Sequence, residues 1–349
     1  MIVEQRATLA SRESLRMSVA RIESHLDQAA AEVSSGRRGD VGLALGAQSA
    51  GLLDLRGLAG EIEAIVQSNG VLANRLSQTQ STLTAIVDLA NGFFETLVTS
   101  RQSGRDRGAV VSDARARLDA LTDLLSTTSN GAHLFSGDTT DTPPLGVYVT
   151  NPPTGPRAAV HATFAAAFGL PPSDPQAASI SAPQMQTYLT GAFATLFQDP
   201  AWQTTFSSVG AGAVEFRASL HEVVTVPVDA NSAGIRNLVS ALVAVIDTGA
   251  EHLSADAYTQ LVDTAASLTG KAGVELVRDQ GAVGVLQERV TAADARMGAQ
   301  RGLIEKQIHA AEGVDLLEAS SRLNGLMTQL EVSYAVTSRL QQMSILNYL

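Results

Sequence analysis

Cysteine is absent from the 349-residue sequence, and aromatic residues make up only 4% of it. The lack of cysteine excludes disulfides, thiolate metal sites and cysteine nucleophiles. It suits a cytosolic protein, and equally one exported by a route without oxidative folding. The hydrophobic fraction is still 45%, which is ample for a core. Because much of it is Ala, Val and Leu, we expect long helices rather than compact β-structure.

The sequence also lacks a basic excess, with 24 basic against 35 acidic residues and a net charge of −11. A nucleic-acid-binding protein usually carries a basic stripe, whereas here the dense basic spots are only Arg37-Arg38 and 101–107. No apolar stretch reaches the roughly 18–20 residues that span a bilayer. The first residues carry scattered charges where a cleavable signal needs an unbroken apolar segment. We therefore predict no nucleic-acid partner, no membrane span and no cleavable signal peptide.

Motifs for catalysis are missing as well. No two of the six His residues stand three or four positions apart, so no helical metal clamp is predicted. Gly270-Lys271 lacks the earlier glycine and the following Ser or Thr of a phosphate loop. No Gly-x-Ser-x-Gly elbow occurs. The sequence predicts no catalytic residues, no metal, no cofactor and no enzymatic activity.

Proline is confined to one part of the chain, because all eleven prolines lie between positions 143 and 227. Proline-free flanks are what long uninterrupted helices require. We predict an N-terminal helical arm over 1–135, a small mixed α/β or β-rich inserted domain over 136–229, and a C-terminal helical arm over 230–349. In the insert, 146–150, 158–164 and 222–228 have strand-like patterns, and Ser181-Ala-Pro183 predicts a helix start leading to about residue 198. Another helix is predicted over about 107–130.

The strongest periodic pattern runs over 55–97, where apolar residues alternate steps of three and four. A seam of this length indicates a long helix, about 52–100, packed lengthwise on others. Asn69 on the seam has two equally weighted interpretations: it fixes the register of packing, or it is a tolerated polar residue at the edge. The predicted seam residues are Leu55, Leu58, Ile62, Ile65, Asn69, Leu72, Leu76, Leu83, Ile86, Phe93 and Leu97.

Both ends of the chain carry further stripes with helical spacing. The last seventeen residues, SYAVTSRLQQMSILNYL, form an apolar helix-like run without Gly, Pro or a basic last turn to end it. Left in water, each large apolar side chain forgoes about 1.5–3 kcal/mol of burial free energy. The two arms should therefore pair in a long antiparallel bundle or coiled coil, with the tail covered by the same chain or by a neighbour. The predicted pairing and assembly residues are Leu15, Val19, Ile22 and Leu26 at the front and Leu323, Met327, Leu330, Tyr334, Leu340, Met343 and Leu346 at the end.

Three stretches together carry a family resemblance. They are the turn Glu32-Val-Ser-Ser-Gly-Arg-Arg38, the segment Asn130-Gly-Ala-His-Leu-Phe-Ser-Gly-Asp-Thr-Thr-Asp-Thr-Pro-Pro-Leu145, and the ending Asn347-Tyr-Leu349. The chain resembles the bacterial flagellin superfamily, and within it the hook–filament junction family (hook-associated protein 3). The resemblance covers about 1–145 and 230–349. One departure is that 39–46 contains Asp40 but no proline, where the family usually has both.

The resemblance implies a structural, extracellular role in the flagellum. The chain ends would pair in the inner tube, and the unfolded chain would leave the cell through a flagellar export apparatus related to type III secretion. Implied partners are other copies of the chain in a helical layer, flagellin, the hook-side junction protein, and a cytoplasmic export chaperone at the C-terminal segment. The alternative function is flagellin, the filament subunit. A third and less favoured one is an exported flagellin-like protein with an enzymatic insert, and an ordinary closed bundle in a monomer also stays open.

Overall fold

The computed structural model describes residues 2–46, 49–103, 106–148, 152–210 and 212–346. Within these, the side chains of 2–12, 43–44, 102–103 and 340–346 are not described. The described residues form eleven α-helices and a short 3-10 helix at Pro175–Ser179. The helices are α1 (Ile2–Ser35), α2 (Val41–Leu45), α3 (Ser49–Ser103), α4 (Arg107–Leu125), α5 (Gly155–Phe168), α6 (Ala182–Thr190), α7 (Ala192–Thr195), α8 (Ala201–Thr205), α9 (Ala233–Asp247), α10 (Ala255–Glu312) and α11 (Leu316–Leu346).

Strands are few and short. β1 (Thr128–Ser129) pairs antiparallel with β2 (Ala132–His133), and β3 (Glu215–Arg217) pairs antiparallel with β4 (Val223–Thr225), with Phe216 opposite Val224. The mainly α fold class predicted from composition is therefore confirmed, with long helices packed on one another. Two of them, α3 and α10, run for 55 and 58 residues without a proline.

The chain divides into two compact units, 1–63 with 298–349, and 64–297. In the first unit α1 packs along α11. In the second unit α4 packs against α9, a helix that is buried nearly all round. The prediction of an insert bounded at 136 and 229 stays a prediction, although that whole segment lies inside the second unit.

The residues of the predicted α3 seam are nearly all buried in their own units. In the first unit Ile62 is fully buried, while Leu55 and Leu58 are half-buried. In the second unit the seam residues that are buried are Ile65, Asn69, Leu72, Leu76, Leu83, Ile86, Phe93 and Leu97. Asn69 makes specific contacts, because its Nδ2 donates to Asp294 Oδ1 at 2.6 Å and to the Ala218 carbonyl at 2.9 Å. A one-residue slip of α3 would break both bonds, which favours the register interpretation.

Within 136–229 some predicted elements were wrong. The predicted strand at 158–164 is part of α5, because an Ala-rich segment behind Gly155-Pro156 has good helix formers and proline at the start of the helix. No strand occurs over the described residues 146–148, and 149–150 lie outside the described residues. The segment 222–228 does contain β4. The helix predicted from Ser181 begins at Ala182 with a capping box and stops at Thr190, where Gly191 ends it.

Candidate assembly surface

Helices α1 and α11 pack through a few buried residues, two of them alanines, and further apolar residues on both helices are half-buried. Ala29 of α1 and Ala319 of α11 are buried, as is Ile22. Small side chains let two helix backbones approach closely. The predicted residues that are half-buried in this unit are Leu15, Val19, Leu26, Leu323 and Leu330.

Polar contacts fix the two helices against each other. The Tyr334 hydroxyl donates to Glu23 Oε1 at 2.6 Å, and this hydrogen bond raises the pKa of Tyr334. Arg322 lies 3.3 Å from Glu32 on α1 and 3.0 Å from Glu318 on its own helix. These contacts are exposed, so they specify the alignment of the helices more than they stabilise it.

Several large apolar side chains of the pair remain in water. Met327 and Tyr334, two of the predicted assembly residues, are 49% and 51% exposed. Large apolar side chains exposed in this number on one helix pair are candidates for an interaction surface. Further exposed apolar side chains on these two helices are Met17, Leu316, Leu317, Val332 and Val336. Leu340, Met343 and Leu346 lie on the backbone of α11, but their side chains are outside the described residues.

At the far end of the pair, the turn after α1 contacts the break between α10 and α11. Gly36 adopts a left-handed φ of 67°, a conformation that suits glycine, and ends α1. The backbone N–H of Arg38 donates to the Glu312 carbonyl at 2.9 Å, and Val314 N–H donates to the Gly36 carbonyl at 3.2 Å. Arg37 and Gly313 form an antiparallel bridge between these two bonds. The backbone just before α11 is therefore hydrogen-bonded to the backbone just after α1.

A buried carboxylate lies at the centre of this contact. The Glu312 side chain is only 2% exposed, and Arg56 of α3 donates to its Oε1 through Nε at 3.0 Å and through Nη2. Arg37 Nη1 lies 3.7 Å from the other oxygen. A buried carboxylate needs such charge-assisted donors to offset its desolvation. We call Glu312, Arg56 and Arg37 the Glu312 clamp.

Glu312→Gln should lower the free energy of unfolding of the first unit by about 1–3 kcal/mol, because a neutral amide loses the charge-assisted bonds from Arg56. Urea unfolding followed by circular dichroism measures the change. Glu305→Gln is the matched control, because Glu305 is half-exposed and pairs with Arg301 on its own helix; it should cost less than about 0.5 kcal/mol. Equal losses of unfolding free energy in both variants would show that the Glu312 clamp stabilises the protein no more than an exposed ion pair does.

Gly313→Ala should also be destabilising, by about 1–3 kcal/mol, because a Cβ at this position would lie 2.7 Å from the His309 carbonyl oxygen and force the backbone to shift. Gly325→Ala provides a control of opposite sign. Gly325 lies inside α11 with open space around the Cβ position, so alanine should stabilise the helix by about 0.5–1 kcal/mol. Thermal unfolding of both variants checks the pair; a neutral Gly313→Ala would contradict the close contact.

Within the part of the chain that the structure describes, no group of three or more His, Asp or Glu side chains could hold a metal ion. In the same residues no helix combines the length and hydropathy needed to cross a bilayer.

Comparison with known families decides the identity. The bacterial flagellin N-terminal helical region matches residues 7–140, and the bacterial flagellin C-terminal helical region matches residues 267–349. Together the two matches span more than half of the chain. The chain belongs to the bacterial flagellin superfamily. It is accordingly a structural protein of the flagellum, a class built by self-association.

The fold of this flagellin-superfamily chain is also similar to that of a solved structure from Vibrio parahaemolyticus described as a "putative flagellar hook-associated protein". The TM-score is 0.51 at 10% sequence identity, and the match covers 76% of this chain and 97% of the other. At that identity the likeness concerns the fold alone. Among curated proteins the comparison found no match.

Sequence reasoning missed the Glu312 clamp in this flagellin-superfamily chain. Arg37 and Arg38 stood out in the sequence only as a short basic spot; their side chains are exposed, yet Arg38 Nε donates to the Gly313 carbonyl at 3.3 Å. The one available signal was Gly313 directly after an acidic residue, because glycine can end a helix. Nothing in the sequence connected that break to a turn some 275 residues away.

Proposed function

We propose that this protein forms the junction layer between the hook-associated ring and the flagellin filament, through helical self-assembly of its terminal helices. The observation that carries the proposal is the set of large apolar side chains left exposed on α1 and α11, including Met17, Met327 and Tyr334. Copies that pack side by side along a helix bury one apolar face against the next copy. The likeness in fold to a hook-associated protein supports the junction layer.

The proposed assembly residues are the two predicted sets, of which Ile22 is already buried in the first unit. Leu15, Val19, Leu26, Leu323 and Leu330 would complete their burial against neighbouring copies, and Met327 and Tyr334 would become buried there. Leu340, Met343 and Leu346 continue the same helix and are proposed to act alike. Transfer of each such side chain from water contributes about 1.5–3 kcal/mol.

The second candidate is flagellin, the subunit of the filament. The family match favours it as much as it favours the junction protein, because both regions that match are described as flagellin regions. Copy number separates the two functions. A junction protein forms a single short layer at the base of the filament, whereas flagellin is present along its whole length.

The proposed route to this location is export of the unfolded chain without a cleavable signal, with a cytoplasmic chaperone bound to the C-terminal segment. The exposed apolar residues of α11 are the physical reason for a chaperone, because such a surface aggregates when it is left in water before assembly. Proposed final partners are flagellin on one side and the hook-side junction protein on the other.

Immunogold labelling of intact flagella, combined with deletion of the protein, tests the junction function. We expect label at one point at the base of each filament, and flagellin released into the medium in the deletion strain. Label along the whole filament, with no filament protein in the medium after deletion, would establish the flagellin function instead.

Truncation of residues 330–349 tests whether the tail is a docking surface. We expect the helical content and thermal unfolding of the second compact unit to be retained while assembly is lost. Global unfolding of the truncated chain would instead support a closed bundle in which the tail is part of the core.

A further inference from the structure

A cavity of about 350 Å³ lies in the second compact unit, on the side where the β3–β4 hairpin continues into the turn before α9. Its walls include Arg75 of α3, Leu134, Val226, Asp229 and Asn231. The volume is enough for several water-sized groups. The cavity therefore has room for a small polar ligand or for one side chain of another molecule.

Arg75 brings a buried positive charge to this cavity. The residue is 7% exposed, and its Nη2 donates to the carbonyl oxygens of His133 and Leu134, both at 3.1 Å. Its Nε is buried without a hydrogen-bond partner, and no carboxylate in the described residues lies within ion-pair distance of the guanidinium. Burial lowers the pKa of Arg75, which reflects the cost of desolvating the charge. Buried charges in proteins are normally paired, so a bound anion would offset the cost of burying the Arg75 guanidinium.

Asp229 restricts which anion can bind. Its carboxylate lines the same cavity and accepts the backbone N–H of Asn231 at 2.8 Å. Burial raises the pKa of Asp229, while the Asn231 N–H and Arg236 act in the opposite direction. Because a second negative charge on the wall repels multiply charged anions, a carboxylate with a single charge fits better than phosphate or sulfate.

We propose that this cavity binds one carboxylate group, anchored by the guanidinium of Arg75. The planar guanidinium matches a carboxylate in shape and supplies charge-assisted hydrogen bonds. Two sources carry this chemistry: a small free carboxylate, or an Asp or Glu side chain of a second copy of the chain, which has 35 acidic residues. The second source rests on the self-association proposed above, whereas the first does not.

The Nε–H resonance of Arg75 in the full-length, ¹⁵N-labelled protein tests the free-carboxylate source directly. Sodium acetate should shift this resonance saturably, whereas sodium chloride and sodium phosphate at the same ionic strength should not. Arg75→Met should weaken acetate binding at least roughly tenfold, because the charge-assisted bonds are lost. Arg278→Met is the matched control, since Arg278 is 81% exposed and has only a weak pair with Glu275, and it should leave acetate binding unchanged.

Assembly of the same variants tests the neighbouring-copy source. Arg75→Met should raise the critical concentration for assembly at least roughly tenfold, and Arg278→Met should not change it. If Arg75→Met does not fold, the assembly of Arg75→Lys and the Nε–H resonance of Arg75 in the wild-type protein still test the proposal. The proposal is overturned if acetate leaves that resonance unmoved and the Arg75 variants assemble like wild type. Normal assembly of wild type and Arg278→Met shows separately whether self-association itself holds.

Discussion

Met17→Asp combined with Met327→Asp is expected to raise the critical concentration for assembly by at least about 100-fold. The two methionines are 58% and 49% exposed on α1 and α11, so aspartate at both positions leaves the isolated fold intact. In the assembled state each carboxylate would be buried against an apolar neighbour, at a cost of several kcal/mol. About 1.4 kcal/mol per site is enough for the predicted effect, because that amount corresponds to tenfold in an equilibrium constant.

The matched control uses the next residue on each helix. Ser18 and Thr328 are exposed and polar, so Ser18→Asp with Thr328→Asp adds the same charge to the same helices. We expect less than about a tenfold change in critical concentration, measured by sedimentation of assembled protein over a concentration series. If the two double variants assemble equally well, the methionines are not on the docking surface.

Asp247→Ala is expected to give the largest loss of stability in the second unit, about 3–5 kcal/mol of unfolding free energy. The Asp247 side chain is 4% exposed, and Arg157 donates to both of its oxygens, through Nε at 3.0 Å and Nη2 at 3.0 Å. His161 Nε2 lies 2.9 Å from the same carboxylate. Burial, together with the nearby Asp247 carboxylate, raises the pKa of Tyr148 far above its usual value. Removal of the carboxylate deprives α5 of its polar attachment to α9.

Two control variants separate the effect of removing a buried charge from the effect of removing any carboxylate. Asp263→Ala removes a carboxylate from an exposed pair with Arg101, and should cost less than about 1 kcal/mol. Asp247→Asn keeps the shape of the side chain but not its charge. Its loss of unfolding free energy should fall between the losses of Asp247→Ala and Asp263→Ala. Chemical unfolding of all three variants measures the order, and an Asp247→Ala loss no larger than that of Asp263→Ala would contradict this account.

The long helices were predictable from sequence because their signal is local and repeated. In α3 the alternation of three and four continues for six turns past Leu76, and no proline interrupts it, so its length and buried face follow from periodicity. The same holds for the start of α6 at Ala182, which Ser181-Ala-Pro183 predicts and where Ser181 and Gln184 form a capping box. Local rules suffice where neighbouring residues make the contacts.

The segment 158–164 was assigned wrongly because its pattern was ambiguous. Two β-branched residues and a phenylalanine among alanines fit a short strand as well as a helix, and one signal that favours the helix, Gly155-Pro156 at its start, lies outside the segment. Packing then adds to the stability of the helix, because the ring of Phe164 lies 5.5 Å from the ring of Tyr188.

The Glu312 clamp and the Arg75 cavity could not be predicted for a related reason. Each joins residues far apart in sequence, Arg56 with Glu312 and Arg75 with Asp229, whose individual contexts are ordinary helix or loop. Charge on a helix is usually solvated, so sequence offers no sign that these side chains are buried. Only the fold brings them together.

Oxidation of methionine by hydrogen peroxide, followed by mass spectrometry before and after assembly, tests the docking surface most directly. Oxidation depends on exposure, and Met185 and Met297, which are 0% and 2% exposed, serve as internal controls that should react slowly in both states. We predict that Met17 and Met327 oxidise quickly in the dispersed protein and are protected at least tenfold once copies assemble. Equal oxidation rates for Met17 and Met327 in the dispersed and assembled protein would contradict the account.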